Sequence, residues 1–98
     1  MLLIGQSHMW FTYIIQSLKD KKFYIGSTSD LDRRINQHNS GVNVSTRHRK
    51  PFKLVYSEIF ATKSEAIHRE LKLKSYKGGV AFKQLFKTRA GSEAVKRD

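Results

Sequence analysis

Apolar and polar positions change their period along the chain, and each change marks a structural element. Residues 10–17 are rich in aromatic and β-branched side chains, which predicts a strand buried on both faces. The polar segment 19–22 predicts a turn, and residues 23–26 begin a second apolar run. The beginning of the chain therefore predicts a β-hairpin.

Helix signals follow the hairpin. The polar residues 27–30 supply capping side chains for a helix that we expect from Asp30 to Asn39, and Gly41 suits its end. The next segment, 41–52, is polar and basic, and its proline disfavours a helix. We therefore expect a loop between this helix and the next element.

A strand and further helices are predicted beyond this loop. Residues 52–60 alternate and are rich in β-forming residues, which predicts a third strand. Thr62 and Glu65 match a capping box for a second helix that ends near Lys74. After a Gly-Gly break, a short third helix is expected at 80–86. The order β-β-α-β-α-α predicts an α+β fold in which a three-stranded sheet is covered by helices.

The chain length fits a single domain with one modest core. It has 98 residues and no internal repeat. We place this domain at 9–86. Residues 1–8 are expected to be a leader outside the fold, and residues 87–98 a polar tail.

Charge is the informative feature of the composition. Nineteen Lys and Arg against eight Asp and Glu give a formal net charge of +11, which favours a polyanionic partner, above all nucleic acid. A membrane surface is a weaker fit, because the basic residues are spread over several elements rather than one amphipathic helix. No apolar run approaches the roughly 20 residues of a membrane span, and cysteine is absent. We expect a cytoplasmic protein with no membrane association.

Helical spacing separates two adjacent arginines in the first predicted helix. Leu31 and Ile35, four residues apart, define the inward stripe, because a helix turns by about 100° per residue. Arg34 and His38 lie beside that stripe, one turn apart. Arg33 points the opposite way, so Arg34 is the arginine expected to lean over the sheet.

The second predicted helix places a carboxylate within its apolar arc. Glu70 lies inside this arc, whereas Glu65 lies on the far side, where its capping role is sufficient. A core-facing carboxylate is costly unless it is paired, hydrogen-bonded or bound to a metal. An ion pair with Arg34, a position at the edge of the core and a metal site are the alternatives. The apolar arc consists of Ala66, Ile67, Leu71 and Leu73.

Tyrosines and histidines alone identify no site. Tyr13 and Tyr24 lie on the two strands of the predicted hairpin, and the residues by themselves favour core aromatics whose hydroxyls reach the surface. The histidines match no zinc-binding spacing.

The motifs in their order resemble the GIY-YIG nuclease family. Phe11-Thr12-Tyr13, ten intervening residues and Tyr24-Ile25-Gly26 resemble the two tripeptides that give the family its name. The stretch 26–41 resembles the family's first helix, with its arginine and a histidine four residues later. The stretches 45–56 and 64–74 resemble small stand-alone members, which are similar to the catalytic domain found in the excinuclease members of the family. The resemblance covers about residues 9 to 86.

The resemblance implies a small three-stranded antiparallel sheet flanked by helices, and an endonuclease that hydrolyses DNA with Mg²⁺ or Mn²⁺. Tyr13, Tyr24, Arg34 and His38 correspond to catalytic residues, and Glu70 to the metal-binding glutamate. The substrate would be DNA, branched or damaged, in repair or recombination, with no small-molecule cofactor. Flanking phosphates would contact basic residues from two segments of the chain. These are Arg47, Arg49, Lys50, Lys53, Lys72, Lys74 and Lys77.

The sequence departs from the family at two places. Phe11-Thr12 replaces Gly-Ile in the first tripeptide, and no asparagine occurs beyond Asn43, although several members use one after the glutamate. A non-catalytic nucleic-acid-binding module that keeps the fold is therefore the alternative function. A basic structural or protein-interaction domain is a third.

Overall fold

The computed structural model describes residues 9–85. Three antiparallel strands form one sheet in the order β2-β1-β3, which confirms the predicted three-stranded architecture. The predicted leader, residues 1–8, and the predicted polar tail, residues 87–98, lie outside the described residues. The strands are β1 (Trp10–Ser17), β2 (Phe23–Thr28) and β3 (Phe52–Phe60).

The helices begin and end where the capping residues predict. In α1 (Leu31–Ser40), the Asp30 side chain accepts a hydrogen bond from the third backbone N–H of the helix, and Gly41 ends it with a φ of 84°. The capping box predicted for α2 (Lys63–Ser75) is present in full. A third helix, α3, occupies residues 80–85 of the described chain.

The segment between α1 and β3 is more regular than the sequence predicts. A short 3-10 helix occupies Arg47–Arg49, and the Lys50–Pro51 peptide bond is cis. The Arg49 side chain forms an ion pair with Asp20 in the hairpin turn, with Nε and Oδ2 3.2 Å apart. This pair joins the two loops at one end of the sheet.

The central strand β1 is covered on both faces, as its composition predicts. Tyr13 and Ile15 pack on one face against α1, and Ile14 packs on the other face against α2 and α3. Thr12 shares the face of Ile14, and its hydroxyl donates a 2.7 Å hydrogen bond to the carbonyl of Ala66 in α2. This bond fixes the first turns of α2 on β1.

The predicted apolar arc of α2 is partly wrong. Ala66 and Leu73 are fully buried, but Ile67 and Leu71 are 37% and 59% exposed. The buried stripe passes instead through Glu70, which is four residues after Ala66 and three before Leu73. Ile67 and Leu71 each lie one residue further round the helix, a rotation of about 100° away from the sheet.

Candidate active site

Tyr13 and Gly26 are directly paired across the β-hairpin, and the tyrosine ring lies over the glycine. A Cβ atom added at Gly26 would lie 2.5 Å from the Tyr13 hydroxyl oxygen, a distance that real Cβ atoms do not show. The missing side chain therefore lets the Tyr13 ring reach over β2. Because β2 is an edge strand, the hydroxyl lies near the open edge of the sheet.

A buried series of hydrogen bonds starts at the Tyr13 hydroxyl. His38, in the last turn of α1, places its Nε2 3.0 Å from the Tyr13 oxygen. The other ring nitrogen, Nδ1, lies 2.9 Å from the Thr46 hydroxyl. All three side chains are buried, so the series is shielded from solvent.

Burial sets the protonation of these groups. It lowers the pKa of His38 to about 4, with the positive charge of Arg34 as the second cause, so the imidazole is neutral at pH 7. Burial also raises the pKa of Tyr13, while hydrogen bonding and charge from Arg34 lower it by less. Arg34 therefore lowers the pKa of Tyr13, but desolvation has the larger effect and leaves Tyr13 protonated.

Arg34, rather than Arg33, faces the sheet, which confirms the orientation predicted from helical spacing. Its Nε donates a long hydrogen bond of 3.4 Å to the Tyr13 hydroxyl, and its Nη1 donates to Gln37 at 3.1 Å. The pKa of Arg34 is raised, and hydrogen bonding with Tyr13 is the largest cause of this shift. Tyr24 contributes to the same shift. The Tyr24 side chain is half-buried, whereas Tyr13 is only 1% exposed.

Glu70 approaches the site from the opposite face of the sheet. Thr12 and Ser27 are paired in the hairpin, and each binds α2: Thr12 holds Ala66, and the Ser27 hydroxyl donates a 2.8 Å hydrogen bond to Glu70 Oε1. Ser27 directly follows Gly26, so the carboxylate lies on one face of β2 and the Tyr13 hydroxyl on the other. The charge of Glu70 is the smallest of the causes that raise the pKa of Tyr13.

The second partner of Glu70 is Lys74, not Arg34. Lys74 Nζ lies 2.8 Å from Glu70 Oε2, one turn along α2. The ion pair between Glu70 and Arg34 that the sequence left open is therefore not the arrangement found. The carboxylate is satisfied by a hydroxyl and an ammonium group, and its side chain is 17% exposed.

The donors around Glu70 fit a hard divalent cation held by few protein ligands. Residues 9–85 contain no group of three or more His, Cys, Asp or Glu side chains that could hold a metal ion. Mg²⁺ commonly binds through one or two carboxylates and keeps several waters, whereas zinc prefers three or four protein ligands. Glu70 could act as such a single carboxylate, because Lys74 is 51% exposed and able to move away.

The predicted phosphate-binding residues do not form one patch. Arg47 and Lys50 lie together at the end of α1, both within 4 Å of a Cβ added at Gly41. Lys74 and Lys77 line a groove beside β2. The others lie elsewhere: Lys72 on another side of α2, Lys53 on the far edge strand β3, and Arg49 in its ion pair with Asp20.

Sequence reasoning missed three side chains that position the predicted site residues. Ser27 binds Glu70, Gln37 binds Arg34, and Thr46 binds His38. A partial signal exists for Gln37, three residues after Arg34 on one helix. Ser27 looks like a helix-capping residue, and nothing in the sequence links Thr46 to His38.

A tyrosine-bearing hairpin, an Arg/His helix and a second helix with one half-buried carboxylate define a nuclease-type α+β domain. The model of the GIY-YIG catalytic domain matches residues 9–79, and the chain belongs to this nuclease family. Helices long and apolar enough to cross a bilayer are absent from residues 9–85.

The chain is similar in sequence to UPF0213 proteins. The UPF0213 proteins of Staphylococcus saprophyticus and Haloquadratum walsbyi are each 42% identical to this chain over 67 residues, which is 67% of this chain. The matched segment is 80% of the Staphylococcus protein and 74% of the Haloquadratum protein. The solution NMR structure of a UPF0213 protein from Bacillus halodurans is 37% identical. The match covers 76% of this chain and 90% of the Bacillus halodurans chain, with a TM-score of 0.41.

Proposed function

We propose that this protein is a metal-dependent DNA endonuclease that hydrolyses phosphodiester bonds in branched or damaged DNA, with a cytoplasmic role in repair or recombination. One observation carries the proposal. The hairpin residues Gly26 and Ser27 bring a phenol–imidazole–guanidinium cluster and a carboxylate to the same edge of the sheet from its two faces. A phosphodiester at that edge could contact both.

Arg34 is suited to bracing the phosphate. A guanidinium has five N–H donors, and the two hydrogen bonds of Arg34 hold its plane against Tyr13 and Gln37. The remaining donors can form the paired contact with phosphate oxygens that arginine favours. Arg34 thus binds the scissile group and stabilises its developing negative charge.

The attacking water would lose its proton to a hairpin tyrosine in its deprotonated form. Tyr13 is buried and protonated, whereas Tyr24 is half-buried, so exposure favours Tyr24 as the phenol that contacts water. A protonated phenol cannot take up a proton, and a nearby positive charge favours its deprotonated form. Arg34 supplies one, and Tyr13 with His38 holds Arg34 in place.

Glu70 would hold the divalent metal, with water and phosphate oxygens as its other ligands. When bound, such an ion neutralises phosphate charge and stabilises the leaving 3′-oxygen. Ser27 keeps one carboxylate oxygen of Glu70 fixed at the sheet edge. Lys74 neutralises the carboxylate in the absence of metal.

The basic side chains would bind flanking phosphates and make affinity depend on salt. Arg47, Lys50, Lys53, Lys72 and Lys77 are exposed and available for this, whereas Arg49 is engaged with Asp20, and Lys74 becomes available when a metal ion replaces it at Glu70. Few groups near the site are suited to reading base edges, which favours selection by DNA structure over sequence.

A non-catalytic nucleic-acid-binding module is the alternative. It is favoured by the Lys74 ammonium on Glu70 and by the missing asparagine after Glu70. Cleavage that is abolished by EDTA separates the two, because binding through basic side chains needs no metal.

The direct test is cleavage of a labelled branched DNA with Mg²⁺, by the wild-type protein and by Glu70→Gln. The substitution removes the charge but keeps an oxygen for Ser27, so we expect cutting to be lost and DNA binding to be retained. Glu65→Gln is the matched control, with the same charge change on the exposed side of α2. Cutting that survives Glu70→Gln would rule out the metal role of this residue.

A further inference from the structure

The loop that follows α1 presents two apolar side chains to solvent. Val42 and Val44 are 66% and 67% exposed, while the other residues of this loop are glycine, asparagine, serine and threonine. We call residues 41–46 the valine loop. A partner that covers the two valines would remove apolar surface from water, which favours binding.

The charges around the valine loop are complementary to a polyanion. Residues 33–57 contain six Lys and Arg and no Asp or Glu. Two of these basic residues lie against the loop, since a Cβ atom added at Gly41 would be 3.7 Å from both the Arg47 Cβ and the Lys50 Nζ. Positive charge beside the valines favours DNA as the partner that covers them.

Hydrogen bonds hold the valine loop in a defined shape beside the candidate active site. The Asn43 carbonyl accepts from the backbone N–H groups of Thr46 and Arg47, at 3.2 and 2.9 Å. The buried Thr46 hydroxyl contacts one ring nitrogen of His38, and the other ring nitrogen contacts the Tyr13 hydroxyl. Only the imidazole ring separates this loop from Tyr13, so a DNA duplex bound at the site passes close to the valines.

Asn43, which lies between the two valines, carries an unpaired donor. Its side-chain Nδ2 is shielded from solvent and has no hydrogen-bond partner among residues 9–85. A buried donor is costly to leave unpaired. In A·T pairs the DNA minor groove presents only acceptors, adenine N3 and thymine O2, and asparagine is among the residues that contact them.

The size of the valine loop favours the minor groove over the major groove. Residues 42–43 belong to neither a helix nor a strand, so the loop enters as a single backbone segment. The major groove is about 12 Å wide and admits a helix or a two-stranded ribbon, whereas the minor groove is about 6 Å wide. One segment with short apolar side chains fits the narrower groove.

We propose that the valine loop enters the minor groove of the duplex beside the phosphate that is cut. Val42 and Val44 contact sugars and base edges, and the Asn43 amide turns outward to an acceptor on the groove floor. Arg47 and Lys50 bind the phosphates that border the groove. The proposal rests on the proposed function and deepens it, since it names the part of the substrate that the protein holds. A·T and T·A pairs present the same acceptors there, so this contact selects little sequence.

The first test measures binding of a paired duplex by fluorescence anisotropy in EDTA, so that no cleavage occurs. Val42→Ser/Val44→Ser should bind about tenfold more weakly, because two valines lose their apolar contacts. Its salt dependence should not change, since no charge is lost. Lys50→Met should instead lower the slope of log affinity against log salt by about 0.9. Val80→Ser, equally exposed but on α3, is the control and should bind like wild-type protein. Wild-type affinity in the double variant would overturn the proposal.

The second test asks which groove the loop enters. Inosine in place of guanine removes the amino group that guanine places in the minor groove, and leaves the major-groove edge unchanged. We expect wild-type protein to bind the inosine duplex several-fold more tightly than the guanine duplex. Val42→Ser/Val44→Ser should show a smaller difference. Equal binding of the two duplexes by wild-type protein would contradict a minor-groove contact.

The two proposals fail in different ways. If both tests give the expected result but Mg²⁺ produces no cutting of any DNA, the valine loop stands and the nuclease proposal fails. If Mg²⁺ supports cutting and neither the valine substitutions nor inosine changes affinity, the nuclease stands and the loop proposal fails.

Discussion

The Tyr13 hydroxyl and His38 Nε2 lie 3.0 Å apart in a fully buried contact, and the bond can run in either direction. His38 is neutral, so only one of its ring nitrogens carries a proton. The Thr46 hydroxyl is the partner of Nδ1. If that hydroxyl accepted from Nδ1, its own buried proton would need another acceptor. The Tyr13 hydroxyl meets the same cost if Nε2–H donates to it, because its own proton would then need another acceptor, so the two hydroxyls compete to donate to the one unprotonated ring nitrogen.

Thr46→Val tests whether the Thr46 hydroxyl sets the direction of these hydrogen bonds. Valine keeps the shape of threonine but leaves His38 Nδ1 without a partner, so we expect about 1–3 kcal/mol of lost stability in urea unfolding. The ¹⁵N shifts of the His38 ring, which report the tautomer, should also change. Thr46→Ser keeps the hydroxyl and should preserve both properties. Unchanged ring shifts in Thr46→Val would show that Thr46 does not set the tautomer.

His38 predicts a loss of stability in mild acid. Its pKa is about 4 in the folded protein against an ordinary value of 6.5, so between these pH values only the unfolded chain takes up the proton. Stability is therefore fully present above pH 6.5 and decreases as the pH falls to 4. The shift of 6.5 − 4 = 2.5 pKa units corresponds to about 3 kcal/mol at most.

Urea unfolding at several pH values between 4 and 7 measures this effect. His38→Gln should remove most of the pH dependence in that window, although it also lowers stability overall. His68→Gln, at an exposed position on α2, should leave the dependence intact. An equal dependence in wild-type protein and His38→Gln would assign the effect to other groups.

Local patterns predicted the fold well because its elements are marked by local chemistry. The caps at Asp30, Gly41 and Thr62 limit both long helices, and apolar alternation marks the strands. Helical spacing also selected Arg34 over Arg33, because Leu31 and Ile35 define one inward stripe.

Contacts between side chains that are far apart along the chain could not be predicted from the sequence. Apolarity placed Ile67 and Leu71 on the buried arc of α2, but the actual face follows from the Thr12 and Ser27 hydroxyls that bind this helix. The contact between Thr46 and His38 depends on the path of a loop. The raised pKa of Tyr13 likewise depends on burial, which outweighs the neighbouring arginine. The catalytic roles assigned to these residues stay predictions.

Gly26→Ala should disturb Tyr13 rather than the strand itself. The added methyl group would lie 2.5 Å from the Tyr13 hydroxyl oxygen, so the ring must move. Overpacking of this kind costs about 1–3 kcal/mol, and the movement should also separate Tyr13 from His38. Urea unfolding gives the cost. In a Tyr13→Ala background the same substitution should cost much less, and equal costs in the two backgrounds would contradict the assigned clash.

Lys74→Met should lower the concentration of Mg²⁺ needed for cleavage. The Lys74 ammonium lies 2.8 Å from Glu70 Oε2, so a metal ion that binds this carboxylate must compete with it. Methionine keeps a similar length and a helix-forming side chain but removes the competing charge. We expect half-maximal cutting at a several-fold lower Mg²⁺ concentration, measured with DNA at saturation to compensate for one lost phosphate contact.

Lys72→Met is the matched control for this effect, since it removes the same charge from the same helix on a different side. Both variants should bind DNA more weakly and show a smaller salt dependence. Only Lys74→Met should change the requirement for Mg²⁺, because only Lys74 touches Glu70. If the two variants need the same Mg²⁺ concentration as the wild-type protein, Lys74 does not compete with the metal, and the metal must bind away from Oε2.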